Sequence, residues 1–125
     1  MDKLLSGRRI LVVEDEMLVL IMIEDMLADL GCTSVTSAAT VDKALALTNA
    51  QVFDAAILDI NLNGHDSHPV AEALSARGVP FVYSTGNTDH GSRNGYSGRP
   101  VLKKPFKFEE LVAILTRFKL APVER

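Results

Sequence analysis

Short apolar runs alternate with segments of helical periodicity five times along the chain, and this alternation constrains the fold more than any other feature. The first run, residues 10–13, contains β-branched residues and ends at Glu14, as a strand buried on both faces would. Residues 15–30 then repeat apolar side chains at helical spacing and stop before Gly31. The other predicted strands are 33–37, 53–58, 79–84 and 100–103, and the other predicted helices are 40–49 (N-cap Thr40), 69–76 and 108–119. Right-handed crossovers between such strands give a parallel sheet with helices on both faces, so the sequence predicts a doubly wound α/β fold.

One connection lacks a clear helix. Four glycines interrupt the segment between the fourth and fifth predicted strands: Gly86, Gly91, Gly95 and Gly98. Each glycine inside a helix costs roughly 1 kcal/mol relative to alanine. We therefore expect the fourth helix to be short, frayed or absent.

Length and composition fit one folded domain. The 125 residues are 47% hydrophobic and 23% charged, which is typical of a single compact unit. The net charge is −3, whereas binding to nucleic acid or to an anionic membrane requires a basic surface, so we do not expect either as a partner. The apolar stretch 17–23 is too short to span a membrane, Cys32 is the one cysteine, and the chain start lacks a signal-peptide pattern. We expect a single domain, residues 1–125, in the cytoplasm.

Charged and hydroxyl side chains stand where the predicted strands end. They are Glu14 and Asp15 after the first strand, Asp59 after the third, Ser84 and Thr85 at the fourth, and Lys103 and Lys104 at the fifth. Because the carboxyl ends of parallel strands meet at one edge of a sheet, we expect these side chains to converge there. Lys103 is the exception, since strand alternation points it away from Lys104.

The three carboxylates predict a site for a divalent cation. Glu14, Asp15 and Asp59 would repel one another at close range unless a cation lies among them. Oxygen ligands alone suit Mg²⁺, with a backbone carbonyl just after Asp59 as a further ligand. A lysine and a hydroxyl beside the ion would bind the oxygens of an incoming phosphoryl group. Asp59 stands alone at the end of the middle strand, so we interpret it as the nucleophile of a phosphoryl transfer.

The strand-end motifs resemble the receiver domain of two-component response regulators, and the resemblance covers nearly the whole chain. The motifs are Glu14-Asp15-Glu16, Ala56-Ile57-Leu58-Asp59, Ser84-Thr85-Gly86 and Lys104-Pro105-Phe106. Each motif is weak alone, but four in this order, each at the end of a strand, are highly specific. The resemblance implies a flavodoxin-like sheet with strand order 2-1-3-4-5 and a stand-alone, single-domain response regulator.

The resemblance also implies a role for each residue of the site. Asp59 would accept a phosphoryl group from a sensor histidine kinase or a histidine phosphotransfer protein. Thr85 and Lys104 would bind the phosphoryl oxygens. The ligands of Mg²⁺, for which Mn²⁺ could substitute, would be Asp15, Asp59 and the backbone carbonyl of Asn61, with Glu14 acting through water. Such a domain signals or relays through protein contacts and catalyses only its own phosphorylation and dephosphorylation, so we do not expect a metabolic enzyme.

Two positions depart from the usual receiver pattern. Val101 stands where receivers usually carry Tyr or Phe, so the aromatic switch of the family is not expected here. The segment 79–86 resembles a subgroup of alphaproteobacterial single-domain receivers with a Phe-Ala-Thr-Gly-type motif, with Tyr83 and Ser84 in the Phe and Ala places. We expect ordering of residues 86–98 to replace the aromatic rotation as the switch.

The first predicted helix carries apolar side chains beyond its core stripe. Leu18, Leu20 and Ile21 project away from that stripe. In receivers, this helix and the loop that here contains Pro105 meet the histidine-bearing partner. Leu20, Ile21 and Pro105 are therefore our candidate partner interface, although scattered exposed apolar residues are also ordinary.

Two other functions use a similar constellation. A phosphatase of the haloacid dehalogenase type also has a nucleophilic aspartate at a strand end, but it needs a second Asp where Asn61 stands, and it usually carries a cap domain. A degenerate receiver that binds its partner without phosphate is the second alternative. The presence of Asp59, Thr85 and Lys104 disfavours it.

Overall fold

A computed structural model of the protein describes residues 3–86 and 99–120. Its main sheet has five parallel strands: β1 (Arg9–Val13), β2 (Ser34–Ala38), β3 (Ala55–Asp59), β6 (Phe81–Thr85) and β7 (Val101–Lys103). The strand order is β2-β1-β3-β6-β7. Because β6 and β7 are the fourth and fifth strands of this sheet, the predicted order 2-1-3-4-5 and the doubly wound fold are confirmed.

Four helices cover the sheet in the described ranges: α1 (Met17–Asp29), α2 (Val41–Ala50), α3 (His68–Ala76) and α4 (Phe108–Arg117). The predicted N-cap of α2 is confirmed, since the Thr40 hydroxyl accepts a hydrogen bond from the Lys43 amide at 3.1 Å. Helix α1 begins later than predicted, because Glu16 has the extended backbone of an N-cap residue. Gly31, with φ of +90°, ends that helix as predicted.

The core consists of two apolar layers, one on each face of the sheet. Alternate residues of each strand enter opposite layers, so Leu11 packs with α2 and α3 whereas Val12 packs with α1 and α4. Leu74 of α3 and Leu111 of α4 are fully buried in these two layers. On the side of the α1/α4 layer, the residues at the carboxyl ends of the strands are polar, and they form the site described next.

A small hairpin between β3 and α3 was not predicted. It pairs β4 (Asn61–Leu62) with β5 (His65–Asp66) in antiparallel register. Asn63 and Gly64 form its turn with φ values of 53° and 87°, and the Gly64 amide donates to the Asn61 side-chain oxygen at 2.7 Å. An Asn-Gly dipeptide at such a turn is a known hairpin signal.

The expectation of a weak or absent fourth helix falls on residues 87–98, which lie outside the described residues. Among the residues that are described, no helix combines the length and the apolar character needed to cross a membrane.

Candidate functional site

The site lies at the carboxyl edge of the sheet, on the side of α1 and α4. Side chains two residues apart in a strand point to the same side of the sheet. Val12, Ile57, Val82 and Leu102 pack in the α1/α4 layer. The residues two positions after them therefore share that side: Glu14, Asp59, Ser84 and Lys104. Asp59 pairs directly with Ser84 across β3 and β6. The structure thus brings these four of the predicted residues to one side of the sheet.

Lys104 is the central cation of the site. Its ammonium nitrogen lies 3.1 Å from Asp59 Oδ2, 3.2 Å from Glu14 Oε1 and 3.4 Å from Glu16 Oε1. The Glu14 and Asp59 side chains are 1% and 4% exposed, whereas that of Glu16 is 64% exposed. The three donors of one ammonium group are thus spread over three carboxylates, two of them buried.

The acidic residues form a cluster that fits a divalent cation. One carboxylate oxygen from each of Glu14, Asp15 and Asp59 lies within 4.8 Å of the other two. Asp15 Oδ2 also accepts a hydrogen bond from the Asn63 amide at 3.1 Å, which ties the hairpin turn to the cluster. A set of oxygen donors with more negative than positive charge is the environment that Mg²⁺ prefers.

Asn61 stands beside the cluster at the start of β4. Its amide donates to Asp59 Oδ1 at 3.2 Å, and its side chain is exposed. The position two residues after Asp59 is where the resemblance places a backbone carbonyl ligand, and that role stays a prediction.

Burial and charge perturb both partners of the central ion pair. Burial and the neighbouring Glu14 carboxylate raise the pKa of Asp59 to about 7, although Lys104 acts in the opposite direction. Burial lowers the pKa of Lys104, but the Asp59 and Glu14 carboxylates outweigh it and leave that pKa above its ordinary value. The amine is therefore charged at neutral pH, and a further cation beside Asp59 would lower its pKa and favour the ionised carboxylate.

Thr85, the other predicted phosphoryl ligand, is buried at the end of β6. Its hydroxyl donates a hydrogen bond to the Gly86 carbonyl at 3.2 Å. Since Thr85 follows Ser84 in the strand, alternation directs the two side chains to different sides. The hydroxyl that shares the side of Asp59 is that of Ser84.

The candidate partner interface of Leu20, Ile21 and Pro105 stays a prediction, but the predicted direction of the Leu20 side chain is corrected. Leu20 is half-buried and packs against the α1/α4 core, because the core stripe of α1 is wider than the sequence indicated. Ile21 and Leu18 are 46% and 82% exposed, Met17 is 66% exposed, and Pro105 is exposed at the same edge of the sheet as the site. The exposed apolar surface of α1 therefore consists of Met17, Leu18 and Ile21.

Glu16 is the site residue that sequence reasoning missed. Its contact with Lys104 was not expected from the sequence, where it stands only as the third residue of the motif Glu14-Asp15-Glu16. The signal was its position directly after the Glu14-Asp15 pair, at the entrance to α1.

The fold and this edge define a flavodoxin-like domain with an acidic, lysine-bearing pocket at the carboxyl ends of its strands. The sequence model of the response regulator receiver domain matches residues 10–116. The chain belongs to that family, which acts in two-component signalling. A search of the curated proteins found no match to this chain.

Solved structures agree with this assignment. The solution structure of SdrG from Sphingomonas melonis Fr1 is 45% identical, with 92% of this chain and 97% of that chain covered and a TM-score of 0.81. The BeF3-activated conformation of SdrG, described from Pseudomonas melonis Fr1, is 45% identical over 89% of this chain and 95% of that chain, with a TM-score of 0.75. The receiver domain of the sensor histidine kinase PA1611 from Pseudomonas aeruginosa PAO1 is 34% identical over 90% of this chain and 98% of that chain, with a TM-score of 0.78. That structure has a magnesium ion coordinated in its active-site cleft.

Proposed function

We propose that Asp59 accepts a phosphoryl group from a phosphohistidine of a sensor histidine kinase or a histidine phosphotransfer protein, in a reaction that depends on Mg²⁺. The observation that supports it most directly is the 3.1 Å contact between Lys104 Nζ and Asp59 Oδ2 inside a cluster of three carboxylates. A single ion pair could simply stabilise the fold. Three carboxylates beside one lysine leave an excess of negative charge, which favours a site that binds a further cation and, with it, a phosphoryl group.

The transfer forms one bond and breaks one. A carboxylate oxygen of Asp59 attacks the phosphorus atom, the O–P bond forms, and the bond from phosphorus to the imidazole nitrogen of the donor breaks. The electron pair of that bond stays on the imidazole nitrogen, and the product is an acyl phosphate. A pKa of about 7 for Asp59 means that charge from a bound cation would favour the ionised, nucleophilic form.

Mg²⁺, or Mn²⁺ in its place, would be held by Asp15, Asp59 and the backbone carbonyl of Asn61, with Glu14 acting through water. Its chemistry is to neutralise the phosphoryl oxygens. Lys104 is placed to contribute a second positive charge to those oxygens, since its ammonium already contacts Asp59. Thr85 would contribute its hydroxyl after releasing the Gly86 carbonyl.

The phosphatase alternative is disfavoured by the same geometry. The residue two positions after Asp59 is Asn61, whose exposed amide side chain accepts from the Gly64 amide and cannot serve as an acid. We infer that the protein acts on no metabolic substrate and catalyses only its own phosphorylation and dephosphorylation.

Incubation with acetyl phosphate and Mg²⁺, followed by intact-mass measurement, tests the proposal. We expect a mass gain of one phosphoryl group in the wild type, and none in Asp59→Asn or in the presence of EDTA. A wild-type protein that stays unmodified would favour the phosphate-independent receiver. Continuous release of phosphate from unrelated phosphate esters would favour the phosphatase.

We further propose that the phosphoryl donor docks on the surface formed by Met17, Leu18, Ile21 and Pro105. This surface is apolar and exposed, and it lies beside the acidic cluster because α1 begins at Met17, two residues after Asp15. Proximity to Asp59 is what a docking histidine requires.

The double variant Leu18→Glu, Ile21→Glu tests this surface. We expect slower phosphotransfer from the host's purified histidine kinases, with unchanged modification by acetyl phosphate. Val52→Glu is the matched control, because Val52 is 65% exposed but lies before β3, at the opposite edge of the sheet. Equal phosphotransfer rates in the double variant and the control would refute the surface.

Three further predictions complete the proposal. We infer that the chain acts as one receiver domain in the cytoplasm and does not contact nucleic acid or membrane. The assignment to the subgroup with a Phe-Ala-Thr-Gly-type motif stays a prediction. So does a switch in residues 86–98, most of which lie outside the described residues.

A further inference from the structure

Ser84 has a buried hydroxyl that the proposed reaction does not use. The residue has no solvent exposure, and its Oγ has no hydrogen-bond partner in the part of the chain that the structure describes. An unpaired buried hydroxyl destabilises a fold, so a state in which the Ser84 hydroxyl gains a hydrogen-bond partner would be favoured by that bond. Ser67 is the one other side chain of this kind among the described residues.

The sheet places this hydroxyl under the central ion pair. Ser84 is the register partner of Asp59 on β3 and of Leu102 on β7, and all three face α1 and α4. Lys104, at the end of β7, reaches Asp59 by passing over β6, the strand that carries Ser84. Adjacent strands are about 4.8 Å apart, so a rotation about the Ser84 side-chain bond brings its Oγ toward the Asp59 carboxyl group.

The donors around Asp59 show what would change in the second state. Asp59 Oδ2 accepts from Lys104, and Oδ1 accepts from the Asn61 amide. A phosphoryl group on Asp59 brings three further oxygens that compete for the Lys104 ammonium, whose three donors are already engaged. A Lys104 that turns toward those oxygens leaves the Asp59 carboxyl group short of one donor.

We propose that Ser84 is a positioning residue that replaces Lys104 as the hydrogen-bond donor to Asp59 when Lys104 turns to the phosphoryl group. This inference rests on the proposed function. The hydroxyl is unpaired before phosphorylation and paired after it, so it favours the phosphorylated state over the unphosphorylated one. Thr85 has a different role in the proposed function, since its hydroxyl now donates to the Gly86 carbonyl and would bind the phosphoryl oxygens instead of the Asp59 carboxyl group.

Beryllofluoride, which imitates a phosphoryl group on a carboxylate, provides an equilibrium test. We expect Ser84→Ala to weaken the binding of beryllofluoride, in the presence of Mg²⁺, by about three- to tenfold, the effect of one net hydrogen bond. The affinity for Mg²⁺ alone should stay within about twofold, because Ser84 is not among the proposed ligands. A residue with a purely structural role would not separate these two affinities.

Ser67→Ala is the matched control, since it removes the other fully buried, unpaired hydroxyl at the start of α3. Both alanine variants should raise the melting temperature of the unmodified protein, but only Ser84→Ala should weaken beryllofluoride binding. Ser84→Cys keeps the size of the side chain with a weaker donor and should lie between alanine and wild type, which covers a failure of Ser84→Ala to fold.

The outcomes separate this inference from the proposed function. If the wild type does not bind beryllofluoride, the proposed function fails and the role of Ser84 fails with it. If the wild type binds and Ser84→Ala binds equally well, or both alanine variants lose affinity equally, only the role of Ser84 is overturned.

Discussion

Both edges of the sheet carry charged side chains, but the ratio of carboxylates to cations differs between the amino edge and the carboxyl edge. At the amino edge, Arg8 faces Asp54 at 3.9 Å, and the Arg9 amide donates to Asp54 Oδ2 at 2.7 Å, so one carboxylate meets one cation and a backbone donor. At the carboxyl edge, Lys104 is the one cation among the described residues that contacts Glu14, Asp59 and Glu16, and Asp15 lies beside them. A balanced edge is sufficient for folding, whereas surplus buried negative charge costs stability and indicates a binding site.

The largest expected difference between the edges is in phosphorylation. Asp59→Asn should abolish the acyl phosphate formed with acetyl phosphate and Mg²⁺, because the nucleophilic oxygen is lost. Asp54→Asn, the same substitution at the amino edge, should be modified at the wild-type rate. Intact-mass time courses check both, and equal loss in the two variants would remove the functional distinction between the edges.

The affinity for Mg²⁺ should differ next. Asp15→Asn is expected to weaken Mg²⁺ binding by at least about tenfold, since it removes one charged oxygen ligand from the cluster. Calorimetric titration measures this, with Asp54→Asn as the control that keeps wild-type affinity. Wild-type affinity in Asp15→Asn would place the ion elsewhere.

Stability should change in opposite directions at the two edges. The folded protein keeps the Asp59 proton up to a pH of about 7, whereas the unfolded chain loses it at about 4, so this carboxyl group destabilises the fold increasingly as pH rises through that window. In EDTA at pH 7.5, Asp59→Asn should raise the free energy of unfolding by up to about 4 kcal/mol, from about three pKa units at roughly 1.4 kcal/mol each, and only a small gain should remain at pH 4.

Asp54→Asn should instead lower the free energy of unfolding by about 1 kcal/mol, because it weakens a satisfied ion pair and a hydrogen bond to the Arg9 amide. Urea denaturation of Asp59→Asn and Asp54→Asn measures whether each substitution raises or lowers the free energy of unfolding. A loss of stability in Asp59→Asn at neutral pH would show that its charge is already compensated by the protein alone.

The smallest effect is expected at Glu16. Its side chain is 64% exposed, so its contact with Lys104 is screened by solvent. Glu16→Gln should change the free energy of unfolding by less than about 0.5 kcal/mol and the phosphorylation rate by less than about twofold. A larger effect would mean that the exposed carboxylate holds Lys104 in place.

The sequence predicted the sheet because its strands carry strong and simple signals. The apolar runs 10–13 and 55–58 needed no tertiary information, and the resemblance supplied the strand order that the structure confirms. The hairpin of β4 and β5 was missed because each of its strands has only two residues, and three of those four residues are polar, although Asn63-Gly64 offered a turn signal.

The composition of the site was predictable, but its contacts were not. That Asp59 and Lys104 meet follows from strand ends in a parallel sheet. That Lys104 also reaches Glu16, that Leu20 packs into the core, and that Ser84 has no partner depend on side-chain directions that emerge only when α1 and β7 are packed. Side-chain alternation could have separated Ser84 from Thr85, because neighbouring residues of a strand face opposite sides.

Proton release on Mg²⁺ binding tests the central claim most directly, namely that surplus negative charge at the carboxyl edge is compensated by a divalent cation. Calorimetry at pH 7 in two buffers of different ionisation enthalpy counts those protons. We predict that the wild type releases a fraction of a proton as Mg²⁺ drives Asp59 to ionise, and that Asp59→Asn releases none. Mg²⁺ binding without proton release in the wild type, or equal release in Asp59→Asn, would contradict the account.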